Sequence, residues 1–265
     1  MHSINVLILG NSNLIPYIKS SKFLKNLFII NNSENNDDLT FVTFKELAMK
    51  CRALKIDLVI VEDEKYIMQG IVDVLKNNLI NCIAPNSKWT DLILSKISAK
   101  KFVNRYNILT PLTLTYPQNF PLIVKYDNGE KIANSIQEIV ETKKQVFEQS
   151  PEIAKTIFLE EKIEGTQFDL LSLFDGKNLL IFPPQNTKIE NSIILEYKEK
   201  LQTMLVSEQF NFIGFINSKL VLSNNKIYNI GFSLTIPKPD IKMDLLYIFI
   251  LAVYQKLNEI NLFTQ

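Results

Sequence analysis

The stretch Thr156–Pro184, TIFLEEKIEGTQFDLLSLFDGKNLLIFPP, organises the reading of this chain. Its pattern predicts three β segments, at residues 156–161, 168–173 and 179–182. Asp175-Gly176 between the last two is a hairpin signal, because glycine accepts the positive φ of a tight turn. The preceding link, Lys162-Ile163-Glu164-Gly165, follows the paired carboxylates Glu160-Glu161 and breaks at a glycine. Such a connection offers backbone groups to read a nucleotide base and a carboxylate to hold ribose hydroxyls. The same residues also describe a solvated turn of any α+β protein, and a motif this short does not separate the two.

Working outward, residues 4–9 form an apolar run closed by Gly10-Asn11-Ser12-Asn13. That is the shape of a first buried parallel strand turning into a helix, whose amides could receive an anion. GNSN is not the G-x-G-x-x-G fingerprint. Residues 27–30 and 56–61 read as further strands, 44–54 and 66–77 as helices, and 81–84 as a short strand stopped by Pro85. The alternation predicts a doubly wound parallel unit. Ligands of such sheets lie at the carboxyl ends of strands, which here carry Gly10-Asn11 and Glu62-Asp63-Glu64.

Residues 87–106 read as one helix with Ser95 and Ser98 as internal caps, broken by Pro111. Short strands follow at 112–116 and 122–124, the second running into Lys125, and Asp127-Asn128-Gly129 is a turn. Ser135 and Glu138 form a capping box for a helix over 135–147. Beyond the opening stretch come a helix within 194–206, strands at 210–222 and 226–230 joined by Asn224-Asn225, and a terminal helix over 241–257.

Composition narrows the function classes. With 265 residues, 46% of them hydrophobic, the chain can bury a sizeable core. Its 29 basic and 28 acidic residues leave a net charge of +1, which supplies no field for polyanions, so no nucleic-acid partner is expected. His2 is the only histidine, which argues against a histidine triad and excludes a multi-histidine metal site within one chain. Cys51 and Cys82 are expected to be free thiols in a reducing compartment. No basic leader is visible, and the longest apolar run, 245–253, is too short for a bilayer. The expectation is a soluble, cytoplasmic protein with no membrane partner.

Taken in order, these segments resemble an ATP-grasp ligase, and within that superfamily the phosphoribosylamine–glycine ligases of purine synthesis. NVLILGNSN resembles the family's opening strand and Gly-Asn-Gly loop, and IDLVIVEDEKYIMQGIVDVLK its strand, Gly-Pro-Glu loop and helix. APNSKWTDLILSKISAKKFVNRYNILTP tracks the family's Gly-Pro, Ser-Lys, Lys-x-Phe and Ile-Pro-Thr landmarks, and PLIVKYD the strand ending in the nucleotide lysine. IFLEEKIEGTQFDLLSLFDG matches the adenine hinge, GFINSKLVLSNNKIYNIG the last grasp strands, and KMDLLYIFILAV the next helix. The resemblance implies an α/β protein: a parallel-sheet pre-ATP-grasp domain over 1–94, then a reduced α+β ATP-grasp domain over 95–265 ending in an apolar helix. It implies that Lys96 and Lys125 meet ATP phosphates, where cations neutralise nucleotide charge. Glu160 would lie near the adenine amino group, with the Lys162 and Ile163 backbone on the ring edge. Gln167 stands where the family has a ribose-binding glutamate, and Gly10, Asn11 and Glu64 fall on substrate-contacting positions. By residue type alone, Lys125 also fits a solvated strand end, and Lys96 a surface lysine beside Lys100 and Lys101.

Departures fall on the chemistry. The family's glycine-rich phosphate loop is reduced to residues 126–132, read as passing straight to the next helix with Gly129 the only glycine. Its Asp-His-Lys becomes Asn186-Thr187-Lys188, its magnesium-holding glutamate and asparagine become Asn229 and Gly231, and its substrate-facing arginine becomes Ser233. Magnesium requires charged oxygens, so ATP is expected to bind weakly at most and magnesium is not expected as a cofactor. Three readings follow: a catalytically impaired pseudoenzyme, an active carboxylate–amine ligase using Asp127, Glu130, Glu160 or Glu161 for the metal, and a non-catalytic scaffold. The helix over Leu245–Val253 is either core or, if uncovered, a face for self-association or a protein partner.

Overall fold

The structure, a computed structural model, describes residues 2–31, 40–184 and 187–262. β1 (Ile4–Leu9), α1 (Ile15–Lys19), β2 (Leu24–Ile30), α2 (Phe44–Ala53), β3 (Leu58–Val61), α3 (Glu64–Met68), α4 (Ile71–Asn77) and β4 (Cys82–Ile83) build a parallel sheet of order β2-β1-β3-β4. β1 and β3 are covered on both faces, which is why they read as apolar runs, interrupted in β1 only by Asn5. Leu7, Leu9, Val59 and Val61 pack with α2, α3 and α4. Val6, Ile8, Leu58 and Ile60 pack with α1 and with the apolar helix over Leu245–Val253.

α5 (Ser87–Leu94) and α6 (Lys96–Asn104) lead to β5 (Thr113–Leu114), β6 (Leu122–Tyr126), β7 (Gly129–Ala133), α7 (Ile136–Gln149), α8 (Pro151–Ala154) and β8 (Phe158–Glu161). These strands form an antiparallel sheet of order β5-β8-β6-β7, and α7 places Ile139 against Leu122, Val124 and Leu159. A second antiparallel sheet, β10-β9-β11-β12, holds β9 (Thr166–Phe174), β10 (Leu179–Ile181), β11 (Gly214–Ser223) and β12 (Lys226–Ser233). α9 (Asn191–Ser207) covers one face of that sheet through Tyr197, Leu201 and Leu205. On the other face, Leu171, Leu173 and Phe215 join α10 (Leu245–Val253) and the first sheet in one core. The Ala84 amide donates to the Ile213 carbonyl at 2.8 Å, linking β4 to the start of β11.

The expected mixture of a parallel unit and later antiparallel strands is the observed fold, with corrections at the joints. The helix expected over 66–77 is two helices, because Gly70 takes φ +78 between α3 and α4. The helix expected over 87–106 breaks at Ser95, which is extended. Ser95 does not cap α6 through its side chain, whose hydroxyl meets Ser98 instead at 3.0 Å, and the Lys96 amide donates to Asp127 Oδ1 at 3.0 Å. Residues 126–132 do not pass straight to a helix. They form the β6–β7 hairpin, in which Tyr126 pairs with Gly129. Strand ends differ by a few residues: β2 starts at Leu24, β9 reaches Phe174 and β12 runs on to Ser233.

The terminal helix is core, which removes it as a face for self-association or a partner. Seven of its nine residues are buried, because the first sheet and the second antiparallel sheet both need an apolar cover there. Among the described residues no helix is long and apolar enough to cross a membrane. Phe249, fully buried, sets its ring 5.7 Å from that of Phe215. Phe249→Ala should lower the unfolding free energy by about 3–5 kcal/mol, read as an earlier urea midpoint. A shift of a few tenths would show that the helix is not the shared cover described here.

Candidate functional site

A cavity of about 370 Å³ opens between the two antiparallel sheets. Each wall follows from a local element. α6 begins at Lys96 and so brings Lys96, Ala99 and Lys100 along one helical face, since positions three and four apart are neighbours. β6 contributes Lys125, β7 Glu130, β8 Glu160, β9 Gln167 and β11 Lys219. β12 closes the cavity with residues 229–233. Four lysines thus face two glutamates.

Glu160 is 2% exposed and lies between two ammonium groups. Lys100 Nζ stands 2.6 Å from Oε1 and Lys125 Nζ 3.0 Å from Oε2. Lys100 also donates to the Pro111 carbonyl, and Lys125 to the Ile230 carbonyl at 2.6 Å. Glu130 Oε2 is 3.8 Å from Lys125 Nζ. Lys96 donates to the Gly129 carbonyl at 2.9 Å. Burial lowers the Lys96 pKa, which Glu130 partly offsets and the neighbouring Lys125 charge reinforces. Burial likewise lowers that of Lys100 against the pull of Glu160.

β12 is kinked where the cavity meets it. Its register against β11 shifts so that Lys219 pairs with Gly231 and Leu220 with Asn229, leaving Ile230 unpaired as a bulge. Gly231 takes φ +151, a conformation that side-chain-bearing residues avoid, although the space beside it is open. The kink aims the Ile230 carbonyl at Lys125. Asn229 is held elsewhere: its Nδ2 donates to the Tyr197 hydroxyl at 2.8 Å and its amide to the Leu109 carbonyl at 2.7 Å.

Of the residues singled out in the sequence, Lys96, Lys125, Glu160 and Gln167 meet in this cavity. Lys162 and Ile163 lie outside its lining, on the link between the two sheets, and Lys162 Nζ pairs with Glu164 Oε1 at 2.9 Å. Gly10, Asn11 and Glu64 sit apart, at the carboxyl ends of β1 and β3. There a Cβ on Gly10 would lie 2.7 Å from the Asp63 nitrogen, Asn11 is exposed, and Glu64 Oε1 accepts from the Thr235 hydroxyl at 3.1 Å. Thr187 and Lys188 are described, whereas Asn186 falls outside the described residues. The sequence reading missed Lys100, which it placed on the surface and which is 9% exposed. Its spacing of four from Lys96 was the available signal. It also missed the Lys219–Asp169 pair, 2.6 Å apart, which depends on the register of β11 against β9.

Glu62 was not singled out among its acidic neighbours. The Ser12 hydroxyl donates to its carboxylate, and burial pushes its pKa up to about 7 despite that bond. A folded value above the ordinary 4.5 means that the folded chain keeps a proton that the unfolded chain releases. The resulting stability is full at low pH and is lost as pH rises from about 4.5 to 7. Glu62→Gln should flatten that part of a melting-temperature profile, and an unchanged slope would contradict the assignment. At the cavity, Lys100→Met should destabilise the fold by roughly 3 kcal/mol in urea, because Glu160 keeps its charge with half its partners gone. A neutral outcome would mean that Glu160 is not held as described.

No family model matches the chain. Among curated proteins it is similar to the phosphoribosylamine–glycine ligase of Fusobacterium nucleatum, 24% identical over 265 aligned positions that cover 83% of this chain and 60% of that protein. Among solved structures it matches the phosphoribosylamine–glycine ligase of Thermotoga maritima with a TM-score of 0.72 at 16% identity, covering 98% of this chain and 76% of that one. It matches the D-alanine–D-alanine ligase of Bacillus anthracis, solved in complex with ATP, with a TM-score of 0.64 at 14% identity, covering 98% and 100%. The chain spans about 60% of the length of its Fusobacterium relative. On sequence and fold together, the chain is a homologue of the phosphoribosylamine–glycine ligases, built on the ATP-grasp fold.

Proposed function

We propose that the protein binds ATP in the lysine-lined cavity and is impaired as a ligase, a member of the purine-synthesis lineage that has lost its metal chemistry. In this reading Lys96 and Lys125 hold the phosphates, joined by Lys219. The Lys162 and Ile163 backbone and the neighbourhood of Glu160 receive the adenine, and Gln167 the ribose. Gly10, Asn11 and Glu64 retain the substrate-side positions. Bound ATP would supply an activating phosphoryl group in an active relative.

The observation that carries the reading is the state of β12. Gly231 has no side chain, Asn229 offers a neutral amide in place of a carboxylate, with its Nδ2 donating to Tyr197, and Glu160 is held between Lys100 and Lys125. Magnesium needs charged oxygens in tight octahedral geometry, and these donors do not fit it. The competing reading, an active ligase with altered ligands, is favoured by Glu130, whose half-exposed carboxylate shares the cavity.

Calorimetric titration with ATP, with and without magnesium, tests this. Binding that ignores magnesium and is weaker than micromolar, which corresponds to about −8 kcal/mol, is expected, with no ADP released. Lys125→Met should weaken it at least about tenfold, because charge-assisted contacts to phosphate are lost. Magnesium-dependent binding with ADP release, when glycine and phosphoribosylamine are supplied, would establish the active ligase instead. No heat in either condition would end the nucleotide reading.

A further inference from the structure

The four ammonium groups of the lysine-lined cavity are not held alike. Lys100 and Lys125 are fixed by Glu160 and by backbone carbonyls, and their side chains are 8% and 6% exposed. Lys96 donates to the Gly129 carbonyl. Lys219 lines the same cavity, yet the carboxylate it meets stands outside that lining: Asp169 Oδ2, 2.6 Å from Nζ, belongs to the wall of a neighbouring cavity. At 41% exposure the Lys219 side chain has room to turn, which the buried pair lack.

The sheet gives that turn a direction. Asp169 on β9, Lys219 on β11 and Gly231 on β12 lie in one row, because Lys219 pairs with Asp169 on one side and with Gly231 on the other. Directly opposed residues of neighbouring strands carry their side chains on the same face. Lys219 therefore has an anion to one side and bare backbone to the other, and nothing lies within 4 Å of where a Cβ on Gly231 would stand. Gly231 and the residues on either side of it line the lysine-lined cavity. A lysine carries its charge on a flexible four-carbon stem, so a change of rotamer takes the ammonium from Asp169 to the space over Gly231.

We propose that Lys219 is a movable counter-charge for a phosphate chain, held back by Asp169 until phosphates enter. The ammonium then leaves Asp169, turns over Gly231 and pairs with them. The inference rests on the phosphate half of the nucleotide reading, and adds that Asp169 opposes binding. The donors around the cavity do not suit magnesium, so the counter-charge for a phosphate chain has to come from side chains. A half-exposed ion pair contributes little to stability, and a polyphosphate carries more charge than one carboxylate, so the exchange favours the phosphates. Asp169 is not stranded by it, since the Asn217 Nδ2 donates to the same Oδ2 at 3.1 Å.

Inorganic tripolyphosphate and ATP are each titrated, in metal-free buffer, into the unaltered full chain, Lys219→Met and Asp169→Asn. Lys219→Met should weaken both ligands at least about tenfold, since a charge-assisted contact is lost. Asp169→Asn should tighten both by about threefold or more, since the ammonium is released. A pair that merely braced the sheet would move both variants the same way, and any pattern other than opposite shifts would overturn the proposal. In the unaltered protein, a crystal structure with tripolyphosphate should place Lys219 Nζ on a phosphate oxygen. A Lys219–Asp169 pair still at 2.6 Å beside the bound phosphates would overturn the proposal whether or not the variants fold. Opposite shifts with tripolyphosphate and no binding of ATP would end the nucleotide reading alone. ATP binding without opposite shifts would end this inference alone, and binding of neither ligand would end both.

Discussion

A carboxylate buried between two ammonium groups ties the grasp half of this molecule together. Glu160 comes from β8, Lys100 from α6 and Lys125 from β6, and Lys125 reaches on to the Ile230 carbonyl of β12. Burying three charges is unfavourable unless each finds close partners, so their positions constrain one another. α6 must begin where it does, and β12 must bulge where it does. The cavity is the space left around this network, and Lys96 and Lys219 add to its positive charge.

Much of the fold was legible in the sequence because parallel strands buried on both faces cannot avoid long apolar runs. Ile4–Leu9 and Leu58–Val61 are such runs. What the sequence did not reveal are places where one residue overrides a periodic pattern. Gly70 and Ser95 each split a helix whose spacing continues across the break, and neither break alters the apolar period. β7 was missed because Gly129–Ala133 is mostly exposed and carries little hydrophobic signal, its pairing with β6 being set by a two-residue turn.

The site was legible to a different degree. Lys96, Lys125, Glu160 and Gln167 lie far apart in the chain, and a resemblance in order singled them out where composition could not. Lys219 and Asp169 belong to no motif. They meet because β11 and β9 pair in one register, and a shift of one residue would send them to opposite faces. Asn229 shows the same limit in another way. Its residue type says only that a side-chain amide stands there, and only the structure shows its Nδ2 donating to the Tyr197 hydroxyl of α9.

The position of α10 bears on how the chain comes to be folded. Leu245 lies far along the chain from Leu9, so the helix that covers the inner face of β1 is made long after that strand. Until then Val6, Ile8 and Ile18 lack their cover, and the nascent chain exposes an apolar surface. Contacts of such long sequence separation close slowly and leave a window for aggregation. A stalled or truncated translation product that stops before Leu245 would carry that surface permanently, which makes it a natural client for chaperones and proteases.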